Sequence, residues 1–183
     1  NMYFVRQKHP TGFADAIMYA KAFTGNEPFA ILLGDDIIYT DKDTRPGIGQ
    51  LLDCYYETGK PTVAVMEVPD ADIPKYANIR GEEVGRRRYA IDLIVEKPAI
   101  KDKFSNNAVI GRYVVEPDIY DIIKDTPPSP KGEVYFTDAL QYLAKQGRLI
   151  GCRFEGKRYD AGNKFEFLQR NVEYALRDEN LSG

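Results

Sequence analysis

At 183 residues, 43% hydrophobic and 29% charged, the chain can bury a sizeable core and is expected to form one domain, residues 1–183, rather than a disordered segment. A net charge of −3 argues against a general nucleic-acid binder, which would carry a strongly basic face. His9 is the only histidine, which excludes a Ser-His-Asp triad and any metal centre needing two imidazoles, so a bound metal would have to be held by oxygen. Cys54 and Cys152 lack zinc-site spacing and fit a reduced, cytoplasmic setting, and no run approaches the roughly 20 apolar residues of a membrane span.

The chain opens abruptly. Asn1 to Gln7 reads as a strand with no lead-in and no initiating methionine, so an N-terminally truncated chain is expected, and Lys8-His9-Pro10-Thr11-Gly12 follows as a loop. A helix begins near Phe13, with Ala14, Ile17, Met18, Ala20, Lys21 and Phe23 on its stripe and a stop at Gly25-Asn26. Phe29 to Leu33 is a strand, Gln50 to Glu57 a helix closed by Gly59, and Thr62 to Val68 a β-branched strand. That alternation predicts parallel pairing through right-handed crossovers. From Tyr76 to Tyr113 strands follow one another without helices (Ala77–Ile79, Arg88–Glu96, Ala108–Val114), which predicts an antiparallel hairpin or flap with Arg86-Arg87-Arg88 as a solvated turn near its tip. Pro117 starts a helix through Ile123, and Thr126 to Gly132 is a loop. A helix from Thr137, a strand from Leu149 to Phe154, a loop over Lys157–Asn163 and a last amphipathic helix complete the chain. The fold class is therefore α/β: a mixed, mainly parallel central sheet flanked by helices, with an antiparallel flap.

Ile31-Leu32-Leu33-Gly34-Asp35-Asp36-Ile37-Ile38-Tyr39 is the most informative stretch, because an apolar run that ends in Gly-Asp-Asp delivers two carboxylates to the edge of a sheet. Three other stretches end strands in the same way: Gln7 to Gly12, Val95-Glu96-Lys97-Pro98, and Lys157 to Gly162. Each also has a structural reading, Glu96-Lys97 as a surface ion pair and Asp160 as the cap of the last helix. Two carboxylates brought to about 4 Å repel by roughly 4 kcal/mol at an effective dielectric of 20, so Asp35 and Asp160 would meet only around a cation. A magnesium ion there would suit phosphoryl or nucleotidyl transfer, with Lys97 on a phosphate and Glu96 accepting from sugar hydroxyls.

Phe4-Val5-Arg6-Gln7, Leu33-Gly34-Asp35-Asp36, Val95-Glu96-Lys97-Pro98, Ile110-Gly111-Arg112-Tyr113, Gly132-Glu133 with Thr137-Asp138-Ala139, and Gly156 to Gly162 together resemble the bacterial UTP:glucose-1-phosphate uridylyltransferases. The resemblance covers nearly the whole chain in the same order. It implies a Rossmann-like sugar-nucleotidyltransferase fold, Mg2+ as cofactor, and formation of UDP-glucose and pyrophosphate from UTP and glucose 1-phosphate by direct attack on the α-phosphorus, in a homo-oligomer. Carried over by motif, it implies Asp35 and Asp160 as metal ligands and Asp35, Lys97 and Asp160 as catalytic residues. Gln7 and Gly12 would read the uracil, with Glu96 and Glu133 on the sugar and Asp36 supporting. Tyr76 would lie at the sugar, Lys157 would add charge, and Gly111 and Gly162 would admit the ligand to the backbone. The sequence departs from the family at Phe13-Ala14-Asp15, where a Leu-Gly-His run is usual, and at Ala77, where a glycine is usual. The Gly-rich triphosphate loop of the family is absent from these residues, which alone are expected not to catalyse the transfer. A dTTP- or CTP-using enzyme and a non-catalytic sugar-nucleotide-binding domain are the alternatives.

Overall fold

A computed structural model describes residues 2–9 and 11–178. Asn1 of the expected first strand and Pro10 of the loop after it lie outside the described residues. The chain folds as α1 (Phe13–Met18), α2 (Lys21–Thr24), β1 (Phe29–Leu32), β2 (Asp36–Tyr39), α3 (Gly47–Thr58) and β3 (Thr62–Glu67). It continues as β4 (Ala77–Gly85), β5 (Arg88–Glu96), β6 (Asn107–Val115), α4 (Ile119–Asp125), α5 (Phe136–Lys145), β7 (Ile150–Arg153), β8 (Lys157–Asp160) and α6 (Lys164–Arg177). Short 3-10 turns at Asp70–Lys75 and Ile100–Asp102 fill two connections.

Six strands form the central sheet in the order β1-β6-β3-β7-β5-β4. The sheet is mixed and flanked by helices, as expected, but its pairing differs. Only β3 and β7 are hydrogen-bonded in parallel, and the other neighbouring pairs are antiparallel. The reason is an insertion. β1, β3, β7 and β4 all run one way, but β6 threads back between β1 and β3 and separates the two strands joined by the α3 crossover. The expected hairpin is β4–β5, and its arginine tip folds onto the surface: Arg87 reaches Glu155 at 2.7 Å and Arg88 reaches Glu57 at 2.5 Å.

Both faces of the sheet are covered, which is why its central strands are nearly continuous apolar runs. In β6 the odd positions Val109, Tyr113 and Val115 face a core closed by α1, α4 and α5. The even positions Ile110 and Val114 face a second core under Leu51 and Cys54 of α3. α5 buries Phe136, Ala139, Leu140, Leu143 and Ala144, a stripe at helical spacing.

Three further expectations change. Residues 2–7 pair with no strand among the described residues, and Met2, Tyr3 and Phe4 are exposed. The helix from Phe13 breaks at Tyr19-Ala20 into α1 and α2. Lys157 to Asp160 is a strand and not a loop: it pairs antiparallel with β2 in a separate two-stranded sheet that aligns Asp36 with Asp160.

Candidate functional site

β1 ends at Leu32, and the chain turns through Gly34 and Asp35 before β2 begins at Asp36. This splits the two neighbouring carboxylates. Asp35 is exposed on the turn, whereas Asp36 is 5% exposed. Gly111 N donates to Asp36 Oδ2 at 2.7 Å, and the Arg158 guanidinium closes on Oδ1. Asp36 is thus a buried anchor in an ion pair, supporting the site from beneath.

Gly111 was expected to admit a ligand, but Asp36 and Leu33 occupy the space beside it. A Cβ there would stand 2.5 Å from Asp36 Oδ2 and 2.6 Å from Leu33 Cβ. The register of β3 against β6 shifts between Val63 and Val65, opposite this glycine, as bulges beside functional sites often do. Gly111→Ala is therefore expected to displace the Asp35 turn and to destabilise the protein by about 2 kcal/mol, at the level of overpacking, measurable by urea unfolding.

Two arginines brace the acidic segments, Arg112 through backbone carbonyls and Arg158 through carboxylates. Arg112 Nη1 donates to the carbonyls of Leu33 (2.9 Å) and Gly111 (2.8 Å), and its Nη2 to that of Asp36, so the guanidinium grips both sides of the turn carrying Asp35. Burial pushes the Arg112 pKa down, while Asp36 and Asp35 push it back up. Arg158 binds Asp36, reaches Asp160 Oδ2 at 3.3 Å and donates to Tyr76 Oη at 2.8 Å. Sequence reasoning gave no role to either arginine. Arg158 shares a strand face with Asp160, two residues on, a relation that appears only once β8 pairs with β2.

Asp160 itself is braced on both sides. Its N donates to Glu166 Oε2 at 2.8 Å, and Gly162 N donates to its Oδ1 at 2.9 Å. The cap of α6 is Asn163, whose side chain accepts from Phe165 N and Glu166 N, so Asp160 is free of that duty. Ala161 N donates to the Asp35 carbonyl at 2.7 Å, which ties the two acidic segments together. A Cβ on Gly162 would lie 3.1 Å from Asp160 Oδ1 and 3.8 Å from Asp35 Oδ2. An oxygen of each carboxylate thus lies in contact range of the same point beside Gly162. Hard oxygen donors around such a point suit a divalent cation of the magnesium type. Among the described residues no group of three or more acidic, histidine or cysteine side chains could complete a metal shell, so the remaining ligands would have to come from phosphate or water.

A cleft of about 570 Å³ runs from Asp35 past Leu33 to Glu96, Lys97, Glu133 and Thr137. Glu96 ends β5 and accepts from the Thr137 hydroxyl at the start of α5. Lys97, next in the chain, has φ +44°, a left-handed conformation uncommon for lysine. Its N donates to the Tyr76 carbonyl at 3.0 Å, and its side chain is 61% exposed, with the ammonium 3.7 Å from Glu96. Burial raises the Tyr113 phenol at the cleft floor, with Glu96 and Asp36 adding, so it stays a neutral hydroxyl. Burial likewise raises the Asp138 carboxyl, with Glu96 adding.

Gln7 and Gly12 line an adjoining recess of about 520 Å³ that shares Phe13 and Glu133 with the main cleft. Gln7 Nε2 donates to Asp15 Oδ2 at 2.6 Å and to the Gly12 carbonyl at 3.2 Å. Tyr76 stands behind Arg158 on a separate cleft. Lys157 does not join this group. It pairs with Tyr39, three residues along the ladder and on the opposite strand face from Asp160, and Glu173 of α6 holds its Nζ at 2.7 and 2.9 Å. Hydrogen bonds from Lys157, then Tyr159, keep the Glu173 carboxyl down at about 2.

The sequence profile of the family described as Nucleotidyl transferase matches residues 1–176. The chain belongs to the nucleotidyl transferase family. Among curated nucleotidyl transferases it is 42% identical, over 97% of its length, to UTP--glucose-1-phosphate uridylyltransferase 2 of Streptococcus pyogenes serotype M3. The match spans 60% of that relative, so the chain covers about that share of the curated proteins it resembles. It superposes on a crystal structure of UDP-glucose pyrophosphorylase complexed with UDP-glucose with a TM-score of 0.91 at 39% identity, covering 96% of this chain and 66% of that one. UTP-bound UGPase from Acinetobacter baumannii aligns with a TM-score of 0.86 at 28% identity, covering 97% of this chain and 61% of that one. Among the described residues no helix of this nucleotidyl transferase is long and apolar enough to cross a membrane.

Proposed function

We propose that the chain supplies the metal and sugar-phosphate side of a UTP:glucose-1-phosphate uridylyltransferase, which forms UDP-glucose and releases pyrophosphate. The observation that carries this reading is that Asp160 Oδ1 and Asp35 Oδ2 lie 3.1 and 3.8 Å from one point beside Gly162, while Asp35 also lines the cleft that bears Glu96, Lys97 and Glu133. Asp35 and Asp160 would hold Mg2+, which when bound neutralises phosphate oxygens. Lys97, with its side chain exposed on the cleft lining, is suited to meet a phosphate as a point charge. Glu96 and Glu133 present acceptors to sugar hydroxyls. Because the Gln7 Nε2 protons already serve Asp15 and Gly12, its Oε1 is left to accept from a base N–H such as that of uracil. Free cysteines and phosphorylated substrates suit a cytoplasmic setting.

The test is pyrophosphate release by the gene-encoded protein with glucose 1-phosphate and UTP, dTTP or CTP in parallel. UTP is expected to be turned over preferentially; preference for dTTP or CTP would move the protein to a sister activity, and no release with any would sink the reading. In the same assay Lys97→Ala is expected to lower kcat/KM about 100-fold, as for other donors to a transferring group. It should leave stability within about 0.5 kcal/mol, because the exposed Lys97–Glu96 pair contributes little.

A further inference from the structure

Gly34 and Asp35 form a turn that stands clear of the core. Both residues are exposed, and a Cβ built on Gly34 would meet no atom within 4 Å, so packing does little to fix this turn. Hydrogen bonds hold it instead. Leu33 N, just before the turn, donates to the Gly111 carbonyl at 2.9 Å, and the Asp35 carbonyl accepts from Ala161 N at 2.7 Å. A side chain supplies the third hold. Arg112 stands opposite Leu32 in the last pair of the β1–β6 ladder, and from there its guanidinium reaches past the end of β1.

All three hydrogen bonds of that guanidinium go to backbone carbonyls: Leu33 and Gly111 from Nη1, Asp36 from Nη2. Leu33 and Asp36 flank Gly34-Asp35, so one planar group spans the base of the turn. A rigid fork of donors can fix two carbonyls relative to each other, which a flexible point charge cannot. Its charge strengthens each bond, and the half-buried position limits competition from water. The Asp36 carboxylate, by contrast, is taken by Gly111 N and Arg158. Arg112 thus acts on the backbone that carries Asp35.

We propose that Arg112 is a positioning residue for divalent-cation binding, its three carbonyl bonds holding the Asp35 turn in place before any cation arrives. The proposal rests on the reading of Asp35 and Asp160 as metal ligands. Their oxygens lie 3.8 and 3.1 Å from one point beside Gly162, on segments far apart in the chain, and without a cation their charges repel. Each segment therefore needs a brace from outside. Arg158 supplies one to Asp160, whose Oδ2 it reaches at 3.3 Å, and Arg112 supplies the other to the exposed Asp35 turn. With that brace gone, the cation would have to order the turn as it binds, and affinity falls by the cost of that ordering.

The test measures Mn2+ affinity by paramagnetic resonance, without substrate, for the gene-encoded protein and its Arg112→Lys, Arg112→Met and Asp35→Asn variants. Arg112→Lys keeps the charge and loses the fork. Both Arg112 variants are expected to bind Mn2+ about 10- to 100-fold more weakly, the range for groups that orient a metal ligand. In the transfer assay the Mg2+ concentration giving half the maximal rate should rise in step, while kcat at saturating Mg2+ changes little because the bound site is the same. A merely structural residue would lower the folded fraction and leave that concentration unmoved. A second readout needs no metal: exchange of the Ala161 amide proton, bonded to the Asp35 carbonyl, should quicken about tenfold in Arg112→Lys. Unchanged Mn2+ affinity in Arg112→Lys overturns the positioning role, and a weakened Asp35→Asn beside it leaves the metal reading standing. If Asp35→Asn also binds Mn2+ as before, the metal reading of Asp35 fails and the positioning role falls with it.

Discussion

Arg158→Leu is expected to destabilise the protein by about 3–5 kcal/mol, the range for breaking a buried ion pair from one side. The Arg158 side chain is 9% exposed and that of Asp36 is 6% exposed, so solvent does little to screen the pair. Without the guanidinium, Asp36 would keep only the Gly111 N–H at 2.7 Å as a partner inside the core. Asp160 and Tyr76 would each lose a contact as well, and the two-stranded β2–β8 sheet would lose the bond that crosses it diagonally. For a chain of this length the loss corresponds to a fall in Tm of roughly 10 °C. The sign of a second change separates charge from packing: Asp36→Asn in the Arg158→Leu background should recover part of the loss, because it removes the uncompensated charge. Denaturant unfolding of the two variants measures this, and a loss below about 1 kcal/mol for Arg158→Leu would mean that the pair does not hold the site.

The parts of this site that were legible in the sequence are those carried by local pattern. Gly34-Asp35-Asp36 and Glu96-Lys97 announce themselves because charge stops an apolar run, and β3, β5 and β6 because both of their faces are buried. What was not legible depends on distant partners. Residues 2–7 have strand composition, yet strands exist only as pairs, and among the described residues nothing pairs with them. Lys157 to Asp160 has loop composition and is a strand because β2 lies beside it. The strand-helix-strand rhythm implied parallel neighbours correctly in direction, but insertion of β6 between β1 and β3 is a long-range event with no local mark. Gly111 illustrates the same limit: its lack of a side chain was visible, whereas the identity of the group filling the space, Asp36, was not.

Asp35→Asn is expected to move activity and stability in opposite directions. The exposed carboxylate of Asp35 has its own loop tied to Ala161, and its Oδ2 lies in contact range of the same point as Asp160 Oδ1. With no cation present the two charges repel. Asparagine keeps the shape and removes the repulsion, so the metal-free protein should gain a few tenths to about 1 kcal/mol, the modest scale of a solvent-screened pair, and the gain should shrink as salt is raised. The proposed transfer should fall at the same time by about 4 kcal/mol of transition-state stabilisation, roughly 1000-fold in kcat. Affinity for Mn2+, followed by its paramagnetic resonance in the absence of substrate, should weaken alongside. Asp160→Asn should lose activity to a similar degree without the stability gain, because Asp160 also partners Arg158 and Gly162 N. Since the two carboxylates would act on one cation, the double variant should be little worse than either single one. A purely structural role for the pair predicts the reverse: lower stability for Asp35→Asn, unchanged Mn2+ affinity and additive losses.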